Sequence, residues 1–418
     1  MTTNTLVVKG TILDGICDVP IERGVVVIKD GIIVDIGKED GVKIPEGSEV
    51  IEGKTIMPGM IDCHLHFCLN GEANFRDLLL ESTMAMYAIK ATVYAKRDLE
   101  AGFTTVRAVG DPGYLGISLR DAVKKGIVKG PRILTAGRAL SITGGHGTFF
   151  PPWIHPDDDL SLGLFADGAE EVRKAVRGLI GSGVDVIKLL ATGGVMDVIT
   201  KPGSQNFNFD EIEAAVEEAH KLGRKVTAHV EGLSGAKDCI KAGVDSLDHG
   251  IELDDEAVEM MQEKGTFLIP TLLAPYNIAE NGTKGGIPEY VVKKDLEVIG
   301  IHVNSFKKAY TAGVKIAMGT DTGTPFSRHG GNAKELELMV NNGMSPMEAI
   351  IATTRTASEA IGLSDQIGTL EKGKLADVLV IDGDPLSDIT ILQNRNFLKY
   401  VLKEGDKVVE NCNSEAQQ

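Results

Sequence analysis

The sequence predicts an α/β protein: a (β/α)8 barrel over residues 58–366 and a small β-sandwich domain assembled from both chain ends, residues 1–57 and 367–418. Three observations predict it. Between Pro58 and Gln366 a short apolar run, a polar loop and an amphipathic stretch recur eight times, the rhythm of a parallel sheet wrapped by helices. The two ends carry β-branched runs broken by turn pairs, and neither end alone has enough strands to bury a face. The length of 418 residues, 43% of them hydrophobic, accommodates one large and one small domain.

Taken in order, Val25 to Ile36 places Asp30-Gly31 between two β-branched runs, the signature of a tight hairpin whose turn needs positive φ. The barrel strands follow as Gly59–Phe67, Thr104–Gly110, Pro131–Gly137, Asp185–Ala191, Lys225–Val230, Ser246–Ile251, Phe267–Leu273 and Lys315–Asp321. Helices over Glu170–Gly181, Asp210–Leu222, Asp254–Lys264 and Asn332–Asn342 show apolar residues at three- and four-residue spacing. The longest interruption, Ala274 to Gly313, holds Gly282, Gly285, Gly286 and Pro288 ahead of an amphipathic run. It reads as a loop and helix overhanging the barrel mouth. Leu375–Ile381 and Lys399–Val409 end the chain as strands between Asp-Gly, Asp-Pro and Gly-Asp turns.

Composition excludes several partners. Lys and Arg number 43 against 60 Asp and Glu, a net charge of −17, which disfavours binding to a phosphate backbone, so no nucleic acid is expected. No apolar run approaches the roughly 18 residues of a membrane span, and Met1 to Thr5 lacks the basic and apolar regions of a secretory signal. The expectation is a cytoplasmic protein with no membrane partner. Cys17, Cys63, Cys68, Cys239 and Cys412 are an odd set without paired spacing, which suggests neither a disulfide framework nor a CxxC metal site. A homo-oligomer is expected only on general grounds.

The polar residues fall near the C-terminal ends of the predicted strands, the face on which barrel enzymes build their sites. On the first strand, Asp62-Cys63-His64-Leu65-His66 points two imidazoles to one side, a metal-binding pair, and turns Cys63 and Leu65 toward the helices. Cys63 therefore reads as a small buried hydrophobe. On the fourth strand, Lys188 interrupts the apolar run from Val184 to Leu190, where an unpaired ammonium is costly. Burial favours its neutral amine, which can add carbon dioxide to give a carbamate, an anionic ligand able to bridge two metals. His229 ends the fifth strand, His249 the sixth and Asp321 the eighth, so four histidines, one lysine and one aspartate converge.

The run Pro58-Gly59-Met60-Ile61-Asp62-Cys63-His64-Leu65-His66, the barrel lysine, the two later histidines and the final aspartate resemble the amidohydrolase superfamily. Val186-Ile187-Lys188-Leu189 followed by Ala191-Thr192-Gly193-Gly194, Thr143 to Gly147, and Leu247-Asp248-His249-Gly250 are similar to its prolidase-like branch of dipeptidases, Xaa-Arg/Lys carboxypeptidases and N-acyl amino-acid hydrolases. The resemblance covers nearly the whole chain. It implies a binuclear divalent centre, with zinc as the expected metal. His64, His66 and Asp321 then hold one ion and His229 and His249 the other, with carboxylated Lys188 and a hydroxide bridging them. It further implies that this hydroxide attacks the amide carbonyl, that Asp321 takes its proton and delivers it to the leaving amine, and that His146 stabilises the oxyanion or orients substrate.

Other residues carry weaker readings. His155, in a Pro-rich loop, and His220 and His302, on predicted helices, read as solvated or capping, and Asp157-Asp158-Asp159 reads as a solvated turn. His329 and Arg328, on the loop after Asp321, are candidate substrate contacts, and Arg107 is a second candidate fork for a substrate carboxylate. Many prolidase-like relatives carry an aromatic or histidine two residues after the fifth-strand histidine, whereas this chain has Glu231. A carboxylate leaning into the mouth there suits a cationic substrate group, or answers a nearby Lys or Arg.

The leading expectation is thus a metallohydrolase cleaving the amide of a dipeptide or N-acyl amino acid. Its rival is a deaminase or cyclic-amide hydrolase of the same superfamily, imidazolonepropionase-like. Mononuclear deaminases do not need Lys188 and commonly place a glutamate where this chain has Gly232. A non-catalytic barrel scaffold is the third reading, opposed by the filling of all six ligand positions.

Overall fold

The structure, a computed structural model, describes residues 5–74, 76–78, 82–149 and 160–411. Four strands open the chain: β1 (Thr5–Ile12), β2 (Ile21–Lys29), β3 (Ile32–Lys38) and β4 (Glu49–Pro58). The middle begins with β5 (Met60–Leu65), α1 (Met84–Glu100), β6 (Phe103–Ala108), α2 (Leu115–Lys124), β7 (Arg132–Thr135), β8 (Ala139–Ser141) and β9 (Gly163–Phe165). It continues through α3 (Ala169–Gly181), β10 (Val186–Leu190), α4 (Phe209–Lys221), β11 (Lys225–Val230), α5 (Leu233–Ala242), β12 (Ser246–His249), α6 (Asp255–Lys264) and β13 (Phe267–Ile269). Then come α7 (Leu273–Asn281), α8 (Glu289–Ala312), α9 (Lys334–Asn341), α10 (Pro346–Ala352) and α11 (Arg355–Ala360), followed by β14 (Val378–Ile381), β15 (Leu398–Lys403) and β16 (Asp406–Glu410).

Strands from both ends join in one seven-stranded sheet, ordered β16-β15-β14-β4-β1-β2-β3. The Asp30-Gly31 turn has φ of 51° and 80°, as a two-residue hairpin between Lys29 and Ile32 requires. The two-residue period then sorts side chains by face. Val7, Val25 and Val27 pack to one side with Val42. Leu6, Val8, Val26 and Ile28 pack to the other with Val378, Val380 and Leu402, so the two ends of the chain share an apolar core.

The middle of the chain forms parallel sheets, β5-β6-β7 and β13-β12-β11-β10-β8-β9. Strand β10 is buried along its whole length, the pattern of a parallel strand covered on both faces. Asp185 N donates to Thr135 O at 2.8 Å and links the two sheets on one side. On the other side residues 315–322 lie between β13 and β5: Ala317 N donates to Leu268 O (2.9 Å), Cys63 N to Met318 O (3.0 Å) and Asp321 N to His64 O (2.8 Å).

That last segment departs from the strand expected over Lys315–Asp321, since it makes single bridges, Ile316 to Leu268 and Thr322 to Leu65, in place of a regular ladder. The Thr320 N–H is shared between His64 O and the Asp62 carboxylate, both at 3.2 Å, and Asp321 turns left-handed at φ 58°. Gly319 permits the close approach, because a Cβ there would sit 2.4 Å from Ile269 Cγ2 and 3.0 Å from His64 Cβ. The third expected strand also ends early, where the chain turns at Gly137 (φ 62°) to start β8. Region 274–313 forms α7 and α8 with the glycine-rich stretch between them. No helix among the described residues is long and apolar enough to cross a membrane.

Candidate active site

A cavity of about 950 Å³, open mouth included, lies at the C-terminal ends of the parallel strands. His64 on β5, His66 just beyond it, Lys188 on β10, His229 on β11, His249 at the end of β12 and Asp321 all line it. The six residues singled out from sequence therefore meet in one place. Asp321 Oδ1 stands 3.4 Å from His64 Nε2 and 3.2 Å from His66 Nε2, and the three residues can present donor atoms within 4.8 Å of one another. Ring centroids of His64 and His249 are 5.0 Å apart, and those of His229 and His249 are 4.6 Å apart.

The donor set suits a divalent metal such as zinc. Asp321 Oδ1 and His229 Nε2 are buried without a hydrogen-bond partner in the protein, which fits atoms meant for an ion. The second ring nitrogens of His66 and His249 are occupied in the way that orients metal-binding imidazoles. His66 Nδ1 donates to Gly110 O at 2.7 Å, leaving Nε2 to face Asp321. His249 Nδ1 meets Thr271 Oγ1 at 2.7 Å. Both His249 (φ 70°) and Asp321 (φ 58°) hold left-handed backbones, a strain that surrounding structure must maintain.

The support is built from residues that sequence reading left without a role. Asp62 accepts the His64 N–H (3.0 Å), the Thr320 hydroxyl (2.6 Å) and the Asn332 amide (2.7 Å), tying β5 to the Asp321 segment. Asp248, one residue before His249, accepts from Lys188, from Thr227 Oγ1 (2.8 Å) and from Arg107 (3.4 Å), and lies 3.4 Å from His64 Nδ1. An acid inside a buried strand is as costly as Lys188 and could have been flagged by the same argument. His302 on α8 donates from Nε2 to His249 O at 3.0 Å, and nothing local in the sequence announces that contact.

Electrostatics follow from burial and neighbours. Burial pushes the Asp321 carboxyl up, but His64 and His66 more than offset it and hold the group well below the usual carboxylate range. Burial, with His146 and His249 nearby, keeps His229 well below the usual histidine range, and burial beside His64 does the same for His249. Burial lowers Lys188 despite the attraction of Asp248.

His146 lines the cavity, stacks on His229 at 4.3 Å and is hydrogen-bonded through Nδ1 to the carboxylate of Asp197. Glu231 leans into the same space: its Oε1 is 3.6 Å from His229 Nε2 and accepts from Val195 N at 3.3 Å, and burial pushes its carboxyl up to about 8. Gly194 makes room for both, since a Cβ there would lie 2.6 Å from His146 Cε1 and 3.0 Å from Glu231 Oε1.

Several expectations need correction. His329 is no substrate contact: it is buried between Tyr94 and Phe67 (centroids 4.8 and 5.6 Å), with Nδ1 on Asp98 at 2.8 Å and Nε2 on the carbonyls of His66 and Leu69, both 3.2 Å. Arg328 is exposed and does not line the cavity. Arg107 is buried beneath the site, its Nε donating to Cys63 O at 2.7 Å, so it has no access to a substrate carboxylate. His302 is neither solvated nor capping, because α8 packs over the mouth and buries it. His220 is exposed and pairs with Asp245 at 2.9 Å. Cys63 is buried among apolar side chains, as its alternation implies. His155 and Asp157 to Asp159 lie outside the described residues.

Residues 55–408 match the amidohydrolase family. A solved Xaa-Pro dipeptidase with methionine bound in its active site is 35% identical, with a TM-score of 0.86 over 96% of this chain and 99% of that one. A solved prolidase in complex with N-methylphosphonate-L-proline is 32% identical, with a TM-score of 0.88 over 97% of this chain and 100% of that one. Ochratoxinase of Aspergillus niger is 33% identical over 426 residues, covering 96% of this chain and 86% of that protein.

Proposed function

The chain belongs to the amidohydrolase family and is a hydrolase acting on carbon–nitrogen bonds, and on that footing we propose that it cleaves the amide of dipeptides or N-acyl amino acids at a binuclear metal site. The observation that carries this reading is the convergence of His64, His66, Lys188, His229, His249 and Asp321 on one cavity floor. His64, His66 and Asp321 would hold one ion and His229 and His249 the other, with Lys188, carboxylated by carbon dioxide, between them. Two bound zinc ions supply Lewis acidity for the scissile carbonyl and lower the pKa of water.

The chain's own residues do the rest. Asp321 starts as a carboxylate, takes a proton from the attacking water on the oxygen not given to the ion and passes it to the leaving amine nitrogen. His146 keeps Nδ1 on Asp197 and turns Nε2 toward the substrate oxygen that gains charge. The same reading takes the two parallel sheets and residues 315–322 as one closed (β/α)8 barrel, domain 58–366, and the terminal sheet, 1–57 with 367–418, as a β-sandwich. The methionine and phosphonate-proline bound by the dipeptidase and prolidase support a small amide substrate.

The test is metal analysis after expression with zinc and bicarbonate, then product analysis on a pooled library of dipeptides, N-acyl amino acids and cyclic or amino-bearing heterocycles. About two ions per chain and release of free amino acids are expected. Ammonia or ring opening without amino-acid release would instead assign a deaminase or cyclic-amide hydrolase. Asp321→Asn is expected to lose about 100-fold or more in kcat, and full activity in that variant would remove the proposed proton carrier.

A further inference from the structure

Two carboxylates that line the cavity are not used by the mechanism above. Glu231 is 7% exposed and Asp295, on α8, is 1% exposed. Both line the cavity, and each has one oxygen, Glu231 Oε2 and Asp295 Oδ2, buried without a hydrogen-bond partner. No ion pair with a lysine or arginine reaches either among the described residues. The nearest imidazole to Glu231, His229, stands 3.6 Å away and is itself one of the expected metal ligands. Lys294, beside Asp295 in sequence, spends its ammonium on the carbonyls of Gly194 (3.3 Å), Asp197 (2.7 Å) and Thr200 (2.5 Å).

A buried carboxylate with an unused oxygen is costly unless something cationic or hydrogen-bonding meets it. Here two of them line one cavity. No arginine is among the described lining residues to pair with a substrate carboxylate, and Lys188 is engaged by Asp248. An anionic substrate group finds only acids there, whereas an ammonium can donate to an orphan carboxyl oxygen.

We propose that Glu231 and Asp295 form a seat for a primary ammonium group of the substrate, so that the enzyme selects amine-bearing amides over their neutral or anionic counterparts. This deepens the amide-hydrolase reading and rests on it only for the identity of the bond cleaved. The ammonium has two possible sources, the α-amine of a free N-terminus or an amine-bearing side chain.

Two matched substrate pairs separate these sources: glycyl-leucine against N-acetyl-glycyl-leucine, and N-acetyl-glycyl-lysine against N-acetyl-glycyl-norleucine. One pair is expected to show a kcat/KM preference for the amine of about tenfold or more, and Asp295→Asn is expected to collapse that ratio toward one. Absence of preference in both pairs, or equal losses on both members in Asp295→Asn, overturns the proposal.

Calorimetric binding of n-hexylamine and of hexanoate to the zinc-loaded protein supplies a readout independent of turnover. Hexylamine is expected to bind wild type at least about tenfold tighter than Asp295→Asn, with hexanoate weaker than either. Equal binding of hexylamine to both proteins assigns it to the metals or to apolar contact and overturns the seat. If no amide is cleaved yet hexylamine binding still requires Asp295, the bond assignment has failed and the seat stands.

Discussion

His302 Nε2 lies 3.0 Å from the carbonyl oxygen of His249, so a helix that covers the cavity mouth holds the backbone of a residue on its floor. The contact matters because His249 has a φ of 70°, a conformation an L-residue keeps only when its surroundings insist. Helix α8 thereby couples the rim to the candidate metal centre.

Replacing His302 with Phe keeps the ring and removes the donor. Metal affinity at the His229–His249 position is expected to fall about 10- to 100-fold, measured by competition with a chelator. Unchanged affinity would show that Thr271, on the His249 ring, orients the imidazole unaided.

Asp248 is buried between Lys188 and Arg107. Asp248→Asn strands both cations, and the metal-free protein is expected to lose about 3–5 kcal/mol of stability. Denaturant titration checks this. A loss under about 1 kcal/mol would mean that Arg107 is already satisfied by Cys63 O, Ser246 and Thr227.

Gly194→Ala drives a methyl against His146 Cε1 and Glu231 Oε1. Since the strain falls on cavity side chains, kcat/KM is expected to drop about 10-fold or more, while Tm moves by less than for Asp248→Asn. Wild-type activity in Gly194→Ala would argue against a fixed position for His146.

Asp295 provides a pH signature. Burial alone raises its carboxyl from 3.8 to about 8 in the folded protein, so over that window the unfolded chain holds fewer protons than the folded one. Stability contributed by the neutral carboxyl is complete below pH 3.8 and declines as pH rises toward about 8. Relative to Asp295→Asn, wild type is expected to lose Tm steadily from pH 4 to 8, measured in the same buffers with no amine present. Parallel Tm curves would place the unfilled side chain in water.

Much of this protein is legible in one dimension. The two-residue period of β5 and the cost of a lysine inside β10 identified His64, His66 and Lys188, and the ends of later strands identified His229, His249 and Asp321. Those signals are local, because strand alternation and burial act on neighbours along the chain. The hairpin at Asp30-Gly31 is equally local, a matter of two φ angles. What only the tertiary structure decided is which polar groups meet from a distance. Asp197 reaches His146 across 51 residues, His302 reaches His249 across 53, and Asp98 takes His329 out of the substrate's path across 231. Arg107 looked equally available to a substrate until packing put it beneath the floor. No sequence period encodes such pairings, since they depend on how α1 and α8 lie against the strands, and packing complementarity sets that. The sequence thus brought out the six polar residues that meet in the cavity, and the folded chain decided what holds them and what else lines it.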